Sequence, residues 1–475
     1  MMKMKWIYTS CLAGLLSLSG CSDFLEVYPL GRTTMPVFFS DMDGIRAAIP
    51  GMYSKMYDYY TAEFYYYPEA AGNMVSLPLI SADAKMVNQY NFTSDPEQET
   101  SAVGKIWSDI YVAIANANNI LEYMPSLKNK FPSNADELDR YEGQALFARA
   151  LAHFDLVRVY AQHYTYTEDA SHLGVPIVRK SPGPDGNLKR ASVKEVYDFI
   201  ESDLLKAEKL FANQPMTSAY FASKKAVQAL LARVYLYQER WIDAERYAGL
   251  VIASSALDYG SDYLKMYSDM TTGNECIFRL NGHLKSKSLG TFYDYNAPSM
   301  LAADTLLTLF SDTTDLRAGM FQQTKNGNDV VTTKYLVTST VVQEDIHYDP
   351  FVLRVSEMYL IRAEANLHLE QYALAADDVK VIRARALQVD PSTLSLTEDY
   401  ASLSRAIEVE RIKEFCFEGH NFFDITRRKQ DLKRSSRTNS TISYLAYPSD
   451  LFVLPISQKE LNANINMDGN PTVNK

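Results

Sequence analysis

The chain has 475 residues, 22% of them charged and 47% hydrophobic, with 20 Gly and 18 Pro. That balance excludes a disordered tail, a collagen-like rod and a multi-span membrane protein. The formal charge of −11 becomes −13 once Lys3 and Lys5 are set aside with the leader described next. A surface that acidic repels phosphate backbones, so nucleic acid is not an expected partner. Tyrosine stands out at 33, beside 21 Phe and only 3 Trp. Its ring is apolar and its tip polar, which suits both core packing and recognition.

Residues 1–21 read MMKMKWIYTSCLAGLLSLSGC. Lys3 and Lys5 form a basic start, and Ile7 to Leu18 an apolar stretch too short to span a bilayer. The quartet Leu18-Ser19-Gly20-Cys21 looks like a bacterial lipobox, in which the Cys21 thiol is acylated and becomes the new N-terminus. The expected organisation is a signal peptide over 1–20 and two regions, 21–255 and 256–475, forming one globular unit. Beyond the leader, Cys276 and Cys416 remain, 140 positions apart and expected as two buried thiols. No CxxC occurs, so zinc-knuckle and thioredoxin chemistry are excluded.

The mature chain opens with SDFLEVYPLGRTT, suited to an extended tether, and helical blocks follow. Trp107, Tyr111, Ile114 and Leu121 sit at near-helical steps, as do Leu146, Ala150, Phe154 and Val157. After the turn-rich SPGPDGN, Ser192 is the expected N-cap of a third helix, with Glu195 closing a capping box. The sharpest structural signal is an internal repeat. Residues 231–251 align with 362–382 at an offset of 131, matching Ala232 to Ala363, Glu239 to Glu370, Trp241 to Tyr372 and Ala244 to Ala375. An apolar helix face, a short turn and a second helix with small residues at the crossing follow the logic of tetratricopeptide pairs. Trp241 and Tyr372 are expected to plug the elbows as buried rings. Between the copies, 274–348 reads as an inserted, non-helical stretch with short β-like runs (ECIFRL, DVVTTKYLVTSTVV) and an Asn326-Gly327 turn. Binding residues concentrate on such loops.

The same blocks, in order, resemble the SusD/RagB family of Bacteroidetes outer-membrane nutrient-binding lipoproteins. CSDFLEVYP, ALFARALAHFDLVRVYA with GVPIV, RASVKEVYDFIESDLLKAEKL and KKAVQALLARVYLYQERWIDAERYA carry the first half. FVLRVSEMYLIRAEANLHL, ERIKEFCFEGHNFFDITRRK and VLPISQKEL complete the series, with Asn421 where the family often has a basic residue. The resemblance implies a mainly α, SusD-like fold with tetratricopeptide-like pairs and an inserted loop-rich region with short β-strands. It implies a lipid-anchored protein on the extracellular side of the outer membrane. Such a protein captures an oligosaccharide and delivers it to a SusC-like TonB-dependent transporter, with no catalysis, cofactor or metal. A peptide-binding member of the family, a lipid-anchored glycoside hydrolase and a helical-repeat adaptor without a small ligand stay open. Family binding residues lie in variable loops, so none transfers by position.

The residues themselves supply the candidates. No GxSxG, HExxH, GxGxxG or Walker pattern occurs. His153, His163, His172, His283, His347, His368 and His420 are scattered and expected to be structural. Glu410, Glu414 and Glu418 line one helix face, but Arg411, Lys413, Arg427 and Arg428 lie close enough in sequence to neutralise them. The basic run from Arg427 to Arg437 reads as a solvated helix end or a partner-facing patch. In the tyrosine-rich stretch, Tyr53, Tyr57 and Tyr60 are helically spaced and expected in the core. Tyr65, Tyr66 and Tyr67 are consecutive before Pro68, so they are not all expected to face inward. With Asn73, and with Tyr293, Asp294, Tyr295 and Asn296 in the inserted region, they form the expected sugar platform. Aromatic planes stack on sugar C–H faces while carboxylates and amides bond the hydroxyls.

Overall fold

The computed structural model describes residues 34–78, 85–98, 100–180, 186–215, 218–268, 273–283, 288–312, 314–335 and 348–471. The leader, Cys21, His347 and part of the second β-like run lie outside the described residues. Contacts divide the chain after Ala47. In the first unit a helical turn, Met35–Phe38, precedes the start of α1 (Met42–Tyr60), and the Phe38 and Phe39 rings meet edge to face at 4.9 Å.

The second unit is a run of helices, nearly all of them packed on the next in line. After α2 (Glu63–Ala70) come α3 (Ala102–Lys130), α4 (Ala135–Tyr160), α5 (Val193–Leu210), α6 (Lys224–Tyr237) and α7 (Trp241–Ala253). Then, beyond the insertion, follow α8 (Val355–His368), α9 (Tyr372–Leu387), α10 (Tyr400–Phe415) and α11 (Asn421–Arg427). The helices start where the sequence says. Ser192 accepts the Glu195 N–H at 3.2 Å, and the Glu195 carboxylate accepts the Ser192 N–H at 2.8 Å, the capping box of α5.

The repeat is structural down to single hydrogen bonds. Pair α6–α7 turns at Glu239 with φ of 57°, and pair α8–α9 turns at Glu370 with φ of 59°. Arg240 donates to the Tyr235 carbonyl at 2.9 Å, and its counterpart Gln371 to Asn366 at 2.8 Å. Both elbows thus end a helix through a left-handed residue without using glycine. The elbow rings are only half-buried, which corrects the expectation of buried plugs. Trp241 lies flat on His368, 3.9 Å between centroids and 2° between planes, so it joins the two copies instead of filling one. Tyr372 packs at the margin of the cluster of Ala363, Leu367, Ala375 and Val379.

The inserted region carries short antiparallel pairs and also short helices, so it is not wholly non-helical. β1 (Val75–Ser76) pairs with β3 (Leu301–Ala302), and β2 (Cys276–Arg279) with β6 (Phe351–Arg354). β4 (Phe321–Gln323) and β5 (Val330–Thr332) form a hairpin closed by Gly327, whose φ of 74° only glycine adopts freely. Cys276 and Cys416 are buried and unpaired, and burial pushes their thiols up to about 12 and about 11.

Four of the expected platform tyrosines are core residues. Tyr65, Tyr66 and Tyr67 belong to α2, which is buried from Phe64 to Ala70, and they are 2%, 1% and 2% exposed. A helix enclosed on all sides can bury consecutive residues, and Pro68 sits inside it. Tyr66 stacks on Phe292 at 3.7 Å and donates its hydroxyl to the Thr61 carbonyl. The Tyr65 hydroxyl lies 2.9 Å from that of Tyr335, and Tyr67 packs edge-on to Phe422 and Phe423. Tyr293 is fully buried against Tyr335. None of the four offers a ring to solvent. Tyr66→Ala is therefore expected to cost about 3–5 kcal/mol of stability, and Tyr295→Ala on the exposed loop no more than about 0.5 kcal/mol. Urea midpoints of both variants check this, and equal shifts would refute it.

Candidate functional site

What remains of the expected platform sits at two places around the turn of one hairpin. Tyr295 is 42% exposed, and its carbonyl accepts the Lys325 N–H at 3.0 Å, which ties its loop to the β4–β5 turn. Asp294 is engaged locally, its Oδ1 accepting from the backbone N–H and the side-chain amide of Asn296 at 2.7 and 2.8 Å. That Asx turn leaves the Tyr295 ring projecting as the exposed aromatic of this loop.

The same turn, through Asn328 and Asp329, rims a groove of about 280 Å³. Its walls are Asn73, Ser76, Asp304, Asn328 and Asp329, with Arg434, Ser435, Arg437 and Thr438 opposite. Asn73 lies here as a wall but its amide is spent. It donates to the Lys433 carbonyl at 3.1 Å and accepts from Asn421 at 2.9 Å. Asn421, the departure from the family pattern, thus makes an amide pair where a basic residue is usual. Asp304 accepts from the Ser435 hydroxyl at 2.8 Å and stands 4.0 Å from the Arg437 guanidinium. The side chains of Ser76, Asn328 and Asp329 have no hydrogen-bond partner among the described residues, and Arg437 is almost fully exposed. A hydroxyl, an amide, a carboxylate and a guanidinium with open valence on one groove form a set that bonds hydroxyl groups in both directions.

Arg434 fixes one wall. Its buried guanidinium donates to the carbonyls of Ala70, Ala71, Gly72, Tyr90 and Ile442 and to the Ser440 hydroxyl, and it stacks on the Tyr90 ring. Burial pulls it down to about 10. The basic run is therefore divided between buried and solvated members. Arg427 is buried in ion pairs with Glu364 and Asp424, and Arg428 pairs with Glu364. Lys429, Lys433 and Arg437 of that run are exposed.

The three glutamates that invited a hydrolase reading are buried and neutralised, by different cations from those the sequence suggested. Glu410 pairs with Arg317 at 2.9 Å and Arg383 at 2.8 Å. Glu414 pairs with Arg385 at 2.6 Å, Arg354 at 3.0 Å and Arg317 at 3.3 Å, and Glu418 with Lys334 at 2.6 Å and Arg354 at 2.9 Å. Burial would raise Glu414, but the three guanidinium groups outweigh it and hold the carboxyl well below its usual range. Arg411 and Lys413, expected as partners, pair with Asp424 and Asp315 instead. The described histidines fit the structural expectation where their contacts are resolved: His153 is bonded to Arg149 and Val178, and His163 to Tyr447. Among the described residues no cluster of His, Cys, Asp or Glu is arranged to hold a metal, and no helix is long and apolar enough to cross a membrane.

Sequence reasoning missed Ser76, Asp304, Asn328 and Asp329. The Asn326-Gly327 turn was the available signal, because the two residues after it reach the groove.

Residues 23–236 match a family described as "Starch-binding associating with outer membrane", and residues 308–472 match the SusD family. A SusD-like protein of Formosa agariphila is 22% identical over 236 residues, 48% of this chain but only 42% of that relative. A SusD superfamily protein of Bacteroides thetaiotaomicron superposes with a TM-score of 0.80 at 24% identity, covering 90% of this chain and 99% of that one. A SusD-like carbohydrate binding protein of Bacteroides vulgatus does so at 0.74 and 19%, covering 90% and 97%. Those two likenesses are of fold.

One buried acid sets a pH response next to this wall. Glu69 accepts the Gly419 N–H at 2.8 Å through Oε1, while its buried Oε2 has no partner. Burial pushes its carboxyl from 4.5 up to about 7. A raised acid favours the folded state fully below about pH 4.5, and that contribution is lost as pH rises through 7. Glu69→Gln keeps the Gly419 acceptor and cannot ionise. It is expected to gain about 2–3 kcal/mol on wild type between pH 5 and pH 8. Urea midpoints at both pH values test it, and parallel shifts of the two proteins would refute it.

Proposed function

We propose, for a chain that belongs to the SusD family, that it captures an oligosaccharide and passes it to a TonB-dependent transporter without cleaving it. Lipid on Cys21 would hold it at the outer membrane, facing the cell exterior. The observation that carries the binding reading is the groove, where Ser76, Asn328, Asp329 and Arg437 offer open hydrogen-bonding groups. Tyr295 adds an exposed ring across the same hairpin. The absence of catalysis is supported by the pairing of Glu410, Glu414 and Glu418, since a glycosidase needs two carboxyls free to act on one bond.

Hydrogen bonds from open polar groups discriminate strongly, because a ligand that fails to match leaves them unpaired. Asp329→Asn combined with Arg437→Ala is expected to weaken glycan binding about tenfold or more, roughly 1.4 kcal/mol. Tyr295→Ala is expected to weaken it by about threefold to tenfold. Calorimetric titration against a glycan that the wild type retains on an array reads both, with thermal melts unchanged. Undiminished affinity would displace the site, and release of reducing ends by the pure protein would replace the binder with a hydrolase. For the anchor, Cys21→Ala is expected to abolish labelling by radioactive palmitate while the protein still folds; persistent label would remove it.

A further inference from the structure

A second cavity, larger than the groove and sharing no residue with it, opens beside α3. It measures about 470 Å³, within the range of small-molecule sites, and lies between α3, the segment around Pro176 and Leu188, and the short helix Gln458–Ala463. Its buried walls are apolar: Trp107, Pro176, Val178 and Met467, with Tyr111 half-buried beside them. The Trp107 and Tyr111 rings meet at 5.0 Å and 58°, an angled aromatic corner braced by Tyr160 edge-on at 5.0 Å. Tyr111 has its hydroxyl committed to the Pro176 carbonyl at 3.0 Å. Of the polar members, Ser457 and Asn464 are buried but already paired, Ser457 accepting the Glu460 N–H at 3.4 Å and Asn464 donating to the Leu188 carbonyl at 2.7 Å, and the others lie outward. Ser108 and Lys459 are exposed, Glu460 is half-buried, and the side chains of Lys459 and Glu460 make no ion pair or hydrogen bond among the described residues. The Trp107 indole N–H likewise has no partner among them.

This division excludes a bare sugar as the best occupant. A pyranose carries hydroxyls around its whole edge, and those turned toward Val178 and Met467 would be buried without partners. An aromatic ring fits the corner instead, and hydroxyls attached to it meet Glu460, Lys459 and Ser108 at the mouth. We propose that the cleft is a second ligand site, taking an aryl group joined to a saccharide, with the ring inside and the sugar outside. The inference rests on the carbohydrate reading for its outer half only.

The test uses a matched pair of probes, phenyl β-D-glucoside and methyl β-D-glucoside, titrated calorimetrically into the full mature protein. The phenyl compound is expected to bind at least tenfold tighter. Leu188→Asp, at an exposed position on the wall, and Ala463→Trp, which fills the cleft from an exposed helix residue, are each expected to remove that preference with unchanged melts. Neither is expected to alter glycan binding in the groove, and Asp329→Asn is expected to leave the phenyl compound's affinity intact. Equal affinities for the two glucosides, or phenyl binding retained in both cleft variants, would overturn the site. Tighter binding of the dipeptide Ala-Phe than of phenyl β-D-glucoside would overturn its ligand class. A failure of the groove variants to affect glycan binding would refute the groove and leave this result standing.

Discussion

The Glu414 carboxylate, buried among Arg317, Arg354 and Arg385, is the constraint on which the architecture turns. Each of those cations comes from a different part of the chain. Arg385 belongs to α9 of the repeat, Arg354 ends β6, and Arg317 sits in the turn that leads into β4. Glu275, just before β2, closes the ring through Arg354 and Arg385, both at 2.6 Å. Lys334, two residues beyond β5, joins through Glu418. Burying a charge costs several kcal/mol unless its partners are in place, so the network tolerates few arrangements of these elements. Its consequence is positional. The β4–β5 hairpin is held on both sides, by Arg317 before it and Lys334 after it, and that hairpin carries one rim of the groove.

Local patterns in the sequence disclosed what local physics determines. The capping box at Ser192 and Glu195 requires two residues three apart, and the repeat requires only that Glu239 and Glu370 end their helices alike. Long-range pairing was not legible. Glu414 stands four residues from Glu410 and from Glu418, and near Arg411 and Lys413, but its partners come from α9, β6 and the turn before β4. Proximity in sequence suggested Arg411 and Lys413 because nothing local says which way a long side chain crosses the core. The tyrosine stretch failed for a related reason. Whether α2 lies on a surface or is enclosed depends on Phe292, Tyr335 and Phe422, residues more than 200 positions away. Loop position and polarity are local properties, so Tyr295 and Asn73 could be singled out as candidates, whereas the engagement of the Asn73 amide with Asn421 is long-range and was not legible.

The high tyrosine content follows from helices that are buried on many sides. Such helices leave carbonyls and carboxylates in the interior, and a ring that fills volume while its tip donates a hydrogen bond resolves both needs. Tyr59 and Tyr60 share the Asp155 carboxylate, Tyr160 donates to the Val103 carbonyl, and Tyr335 to that of Phe417. Phenylalanine at these places would leave buried acceptors unmet, which costs more than a mediocre hydrogen bond returns. Composition alone was compatible with both core packing and recognition, and much of the tyrosine serves the core.

That use of tyrosine shapes the chemistry left for binding. With the rings of α2 and Tyr293 withdrawn into the interior, the groove is walled by short polar side chains, and Tyr295 stands across the hairpin from it. Affinity built from stacking tolerates any sugar with a flat C–H face, whereas affinity built from hydroxyl pairing does not. The groove is thus suited to read the pattern of hydroxyls along a chain. The cleft beside α3 is built differently, with apolar side chains within and its buried Ser457 and Asn464 already paired, so it responds less to that pattern than to an apolar substituent. A ligand satisfying both would be defined by its sugar sequence at one site and by its decoration at the other. Two weak and chemically unlike readings on one rigid helical frame multiply in discrimination only when one molecule can span both sites, because only then is the second contact intramolecular.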